Sequence, residues 1–130
     1  TNGGRALSLL ANNGLIKLKD PKAVESKISD ITENPKNFKI TEHDAAILPR
    51  QLDEVDLAII NTNFVLDSGL DPVKDALLIE GKDNPYANTL VARPDNKDSE
   101  GIQKLAKALT SDDVKKFIED EYKGAVIPAF

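Results

Sequence analysis

Residues 55–64 read VDLAIINTNF. Val55, Leu57, Ala58, Ile59 and Ile60 are nearly continuous apolar residues, the pattern of a central parallel strand covered on both faces. The polar Asn61-Thr62-Asn63 follows where that strand would end. Ligands of open α/β sheets bind outside the carboxyl ends of the strands, so these three residues fall where a site is expected. Asn61 or Thr62 equally suits the cap of a short helix over Phe64–Ser68 that stops at Gly69.

Upstream, AAILPRQLDE (45–54) reads as one broken helix or two short ones, with Pro49 marking the break because it lacks an amide donor and its ring opposes the preceding turn. NFKITEHD (37–44) alternates Phe38 and Ile40 with polar residues and predicts a short strand ending near Glu42. KDPKAVESKISDITENPKN (19–37) has little period; Asp20-Pro21 and Asn34-Pro35 each mark a turn or a helix start, so short helical turns in a surface excursion are expected. Leu7, Leu9, Leu10 and Ala11 predict a helix over about 3–12, with Asn2 as its cap and Asn13-Gly14 as a left-handed stop.

Downstream, ALLIE (76–80) and NTLVARP (88–94) read as extended segments separated by the turn-rich GKDNPY (81–86). A helix over about 98–109 presents Ile102, Leu105, Ala106 and Leu109 on one face. A second, over about 111–123, is capped by Ser111, turns Val114, Phe117 and Ile118 inward and closes at Gly124. AVIPAF (125–130) is an apolar extended tail. The order of elements is α/β, but it begins with a helix that has no strand to return from, so an incomplete fold is expected.

Composition narrows the function. With 130 residues, 40% hydrophobic and 30% charged, the chain suits one globular domain or part of a larger one. Its net charge of −5 and the absence of any long Lys/Arg cluster disfavour nucleic acid. No apolar run approaches the roughly 20 residues that span a bilayer, and the first residues lack the basic-then-apolar order of a signal peptide. Zero cysteines remove disulfides, thiolate zinc sites and thiol nucleophiles, and a single histidine limits acid–base and metal chemistry.

Three stretches have chemistry to offer. TNGGR (1–5) at a helix start combines glycines that let a ligand approach the backbone, free amides, the positive end of a helix and the planar fork of Arg5, all suited to a carboxylate or phosphate. It equally describes a capped helix with an exposed arginine. It matches neither a P-loop nor a GxGxxG fingerprint. DNPYAN (83–88) places Asn88 at the head of an extended apolar segment, where a buried amide would need partners and a solvated one would not. His43, flanked by Glu42 and Asp44, has neighbours that point to opposite faces of a strand and forms no triad. The acidic pairs Asp53/Glu54/Asp56, Glu80/Asp83 and Asp112/Asp113 lack calcium-loop spacing, so no metal site, cofactor or catalytic residue is assigned.

The segments TNGGRALSLL, GLIKLKD, ENPKNFKI, LPRQLDEVDLAIINTNF, KDALLIEGKDNPYANTLVARPDNKD and SDDVKKFIEDEYKGAVIP, taken in order, resemble the NlpA-type lipoproteins, the methionine-binding receptors of bacterial ABC importers. The resemblance implies a type II periplasmic-binding-protein fold, two α/β lobes enclosing an amino acid. It assigns 1–86 to most of the second lobe, 87–94 to the return crossover and 95–130 to C-terminal helices and a tail belonging to the first lobe, the rest of which lies outside this sequence. It implies that Arg5 pairs with the ligand carboxylate and that Asn61 and Asn88 hold the polar head group, with Asn63 and Tyr86 as neighbours. The family's aromatic thioether pocket comes largely from the first lobe. The implied partners are methionine of either enantiomer, or a methionine-containing peptide, and the importer's permease, at the extracytoplasmic face under an N-terminal lipid anchor absent from this chain. Rival expectations are a small α/β enzyme holding an anion at residues 1–5 with Asp44 or Asp53 as base, and a fragment that self-associates without binding a ligand.

Overall fold

The computed structural model describes residues 2–81 and 86–130, so most of the turn expected at 81–86 lies outside the described residues. The chain divides into two compact units, Thr1–Phe64 and Val65–Phe130.

The first unit is built on helix α1, Asn2–Asn12. Asn2 is the first helical residue rather than the cap ahead of it. The stop is as expected: Gly14 is left-handed at φ 70°, Gly14 N–H donates to Ala11 at 2.9 Å and Leu15 N–H to Leu10 at 3.0 Å. These are the paired bonds of a Schellman end, which satisfies the carbonyls the last turn leaves open. The chain then turns into strand β1, Lys17–Leu18, which pairs antiparallel with β2, Ile31–Glu33, in the register Lys17↔Glu33 and Leu18↔Ile31, with an irregularity between them. The expected surface excursion therefore holds a strand as well as a 3₁₀ turn at Ile28–Asp30. Leu7, Ile16 and Leu18 are buried, and Leu10, Ala11, Ile31, Phe38 and Ile40 pack against them. The Lys17–Glu33 ion pair at 2.9 Å is exposed and adds little.

Three expectations for this unit need correction. Phe38 and Ile40 alternate toward the core as predicted, but no ladder forms at 37–44. The side chain of Asn34 takes the place of a partner strand: its amide donates to the Phe38 carbonyl at 2.9 Å, and its oxygen accepts the Phe38 N–H at 2.9 Å. Residues 48–54 form one 3₁₀ segment, Leu48–Glu54, with Pro49 at its start, where a missing N–H costs nothing. Residues 55–60 are not a strand. Val55 and Leu57 are 43% and 48% exposed, and no described residue pairs with the run; a buried parallel strand exists only through neighbours on both edges.

Helix α2, Thr62–Asp67, begins directly after Asn61, whose carbonyl accepts Phe64 N–H at 3.0 Å. It ends as predicted, at left-handed Gly69 (φ 80°), with Gly69 N–H on Leu66 at 3.1 Å and Leu70 N–H on Val65 at 3.3 Å.

In the second unit, Asp71 organises the next turn. Its Oδ1 accepts Val73 N–H at 2.9 Å and Lys74 N–H at 3.2 Å, while Asp75 Oδ2 accepts Asp71 N–H at 2.8 Å. The Lys74 ammonium, 2.7 Å from Asp71, is the main cause that holds the Asp71 carboxyl below its ordinary value, with the backbone N–H bonds adding to it. Lys74 is raised in return, first by that hydrogen bond. A carboxyl lowered by folding steadies the turn above its unfolded value and ceases to do so as pH falls through the folded one. The Val73 and Lys74 amide resonances should therefore hold through neutral pH and move only on the acid side of 3.8, the ordinary carboxylate value. A midpoint at or above that value would contradict the clamp.

Segments 76–80 and 87–93 carry no ladder; Leu77 is 82% and Val91 83% exposed. Helices α3, Glu100–Leu109, and α4, Asp112–Tyr122, follow where expected. Ser111 caps α4, its hydroxyl accepting Val114 N–H at 3.3 Å. Lys123 (φ 47°) shares the left-handed exit with Gly124 (φ 98°). Phe117 does not turn inward: it is 59% exposed and meets the Tyr122 ring edge to face at 6.5 Å. No helix among the described residues is long and apolar enough to cross a membrane.

Candidate functional site

The first turn of α1 shows what its two glycines are for. Gly4 is buried, and a Cβ there would lie 2.6 Å from the Val24 carbonyl oxygen and 3.0 Å from the Ser26 amide nitrogen. The helix thus rests directly on the backbone of residues 24–26. Ser26, also buried, is satisfied by donating to Ala23 at 3.2 Å. A Cβ on Gly3 would meet the carboxylate of Glu42. Gly3, Gly4, Glu25, Ser26, Lys27 and Glu42 line an open cavity of about 290 Å³.

This corrects the expectation that the glycines open the backbone to a ligand. The protein's own backbone fills one position and its own carboxylate the other. An acid at the positive end of α1 takes the place of an anion held by the helix end alone, which weakens the phosphate site of the enzyme alternative but bears less on a carboxylate held by the Arg5 side chain. The acids offered as a base fare no better: Asp44 accepts the Ala46 N–H at 3.0 Å in a local turn, and Asp53 is exposed. His43 is exposed, its ring 3.1 Å from the Thr41 hydroxyl. Among the described residues no group of three His, Cys, Asp or Glu is placed to hold a metal ion.

Arg5 follows on α1, half-buried and already engaged within the protein. Asn61 is half-buried at the entrance to α2, and Asn63 is exposed in its first turn. These three belong to the first unit. Tyr86, half-buried and engaged, and Asn88, exposed, belong to the second. Glu42 was not singled out by sequence reasoning. The available signal was the lack of any acid in the first turn of α1, which leaves its positive end to be complemented from elsewhere in the chain.

The family model of the NlpA lipoproteins matches residues 1–130. The chain is 46% identical over 127 residues to a probable D-methionine-binding lipoprotein MetQ of Pasteurella multocida, covering 98% of this chain and 46% of the relative. It is 44% identical over 129 residues to the D-methionine-binding lipoprotein MetQ of Escherichia coli K12, covering 98% of this chain and 48% of that protein. Among solved structures, a nutrient binding protein from Burkholderia cenocepacia bound to methionine superposes with a TM-score of 0.88 at 45% identity, over 99% of this chain and 55% of that one. A periplasmic substrate-binding protein of an ABC transporter from Coxiella burnetii gives 0.85 at 44%, over 96% and 52%. The chain spans about half the length of the relatives it matches.

Proposed function

The chain belongs to the NlpA lipoprotein family, and from that premise we propose that it supplies the polar grip of a methionine receptor serving a bacterial ABC importer. Its fold is that of the α/β periplasmic substrate-binding proteins over the portion of them that it covers. The observation that supports the receptor reading most is the likeness, at 45% identity and a TM-score of 0.88, to a structure bound to methionine.

In this reading the Arg5 guanidinium takes the ligand carboxylate through two parallel N–H bonds. Asn61 and Asn88 hold the rest of the head group. An amide suits that role because it donates to a carboxylate and accepts from an ammonium without adding charge. Asn63 and Tyr86 border them. In this reading residues 1–86 are most of one lobe, 87–94 the crossover between lobes and 95–130 helices and a tail of the other, the remainder of which supplies the facing wall when a two-lobed receptor closes. Capture and release need no nucleophile or general base, and the relatives are binding proteins. The receptor works at the extracytoplasmic face of the cell envelope, held there by a lipid and handing its ligand to the permease.

A ligand that binds only the folded state raises the unfolding temperature in proportion to its affinity. Both enantiomers of methionine and a methionine-containing dipeptide, screened beside other amino acids by thermal shift, should include the strongest stabiliser. On the full-length form that carries both lobes, an equal response to every amino acid, or none to methionine, would overturn the receptor reading.

A further inference from the structure

We infer that Asn13 is a deamidation site which the end of helix α1 keeps closed and which, once converted, leaves that end open. Asn-Gly pairs occur at Asn2–Gly3 and Asn13–Gly14. In such a pair the glycine nitrogen attacks the asparagine side-chain carbonyl carbon. A new N–C bond closes a five-membered ring, the bond from that carbon to Nδ2 breaks, and ammonia leaves with the proton that the glycine nitrogen gave up. Water then opens the ring at either carbonyl, giving aspartate or its β-linked isomer. One water enters, one ammonia departs, and nothing is oxidised or reduced. Glycine favours the step because no Cβ hinders the approach.

At Asn13 the fold occupies both reacting groups. The attacking nitrogen, that of Gly14, donates its N–H to the Ala11 carbonyl at 2.9 Å. The leaving group, Asn13 Nδ2, donates to the Leu9 carbonyl at 2.8 Å. Both residues are exposed, and nothing lies within 4 Å of where a Cβ on Gly14 would be. Hydrogen bonds rather than burial therefore guard the pair, and an exposed helix end opens at far less cost than the whole chain. The product cannot close the end again. A carboxylate has no N–H for the Leu9 carbonyl, and it sets a negative charge at the negative end of the helix. The β-linked isomer also lengthens the backbone by one atom between Asn13 and Gly14, which carries the Gly14 and Leu15 amides off Ala11 and Leu10.

The test is peptide mass spectrometry on the full chain, incubated at mildly alkaline pH with and without concentrated urea. Asn13 should convert in urea, and about tenfold or more slowly in the folded chain. Equal rates in the two conditions would overturn the guard, and an Asn13 that stays intact in urea would overturn the site. The consequence is read separately by urea denaturation of Asn13→Asp and Asn13→Ala. The aspartate variant should have the lower midpoint of the two, because alanine only removes the donor whereas aspartate adds the opposing charge. A midpoint for Asn13→Asp equal to that of the parent would overturn the claim that conversion leaves the helix end open.

Discussion

Arg5→Ala should lower methionine affinity by about 100-fold or more, with the fold intact. The expectation follows from what a carboxylate loses between closing lobes. Once water is excluded, an unpaired carboxylate keeps its full desolvation cost, and each charge-assisted bond is worth about 1.5–3 kcal/mol. Arginine supplies two in parallel, and neither asparagine carries a charge that could replace it. The residue is half-buried on α1 and engaged within the protein, but it lies outside the Leu7, Ile16 and Leu18 core, so its removal should leave the fold intact. Arg5→Lys should recover part of the affinity, because it restores the charge without the fork. Titration calorimetry on the three proteins reads both effects; an alanine variant that binds within threefold of the parent would remove Arg5 from the site.

Gly4→Ala should destabilise the first unit by about 1–3 kcal/mol, while Gly3→Ala should be neutral or slightly stabilising. The two glycines are adjacent in the first turn of one helix, so alanine's propensity advantage, at most the roughly 1 kcal/mol of a helix interior, is similar at both. They differ in what the new methyl meets. At Gly4 it would lie 2.6 Å from the Val24 carbonyl oxygen and 3.2 Å from that of Ser26, backbone that gives way only if the helix moves off the segment. Overpacking of this kind costs about 1–3 kcal/mol or more, and it bears directly on a small core of three buried apolar side chains. At Gly3 the obstacle is the tip of Glu42, a flexible exposed side chain that can turn aside. Urea denaturation should show the midpoint falling for Gly4→Ala alone. Equal midpoints for the two variants would mean that α1 does not rest on residues 24–26 as described.

These two expectations show where the sequence was legible. Local signals carried through: the Gly14 and Gly69 stops, the Ser111 cap and the extents of α1, α3 and α4 depend on residues within one turn of one another, so the chemistry that sets them is adjacent in the chain. Long-range pairing did not. The pairing of Lys17 with Glu33 lay inside a stretch with no period, and the hydrophobic pattern of 55–60 was right about composition but not about exposure, because burial of a strand is set by its neighbours. Phe38 needed no partner strand because Asn34 satisfied its backbone.

The site divides in the same way. The presence of glycines before Arg5 was visible, but their purpose was not, since Val24, Ser26 and Glu42 lie 20 to 39 residues further along. Arg5, Asn61 and Asn88 owe their assignment to the family resemblance. Physical reasoning from the residues alone left each of them with a structural reading as well.

Whether these polar residues hold methionine can be read from an NMR titration of the isotopically labelled protein with methionine. Saturable shifts should include the backbone amides of Arg5 and Asn61 in the first unit and Asn88 in the second, all fitting one dissociation constant and all lost at the same methionine concentrations in Arg5→Ala. Resonances of these residues that stay fixed while methionine binds elsewhere, or that move identically in Arg5→Ala, would contradict that role.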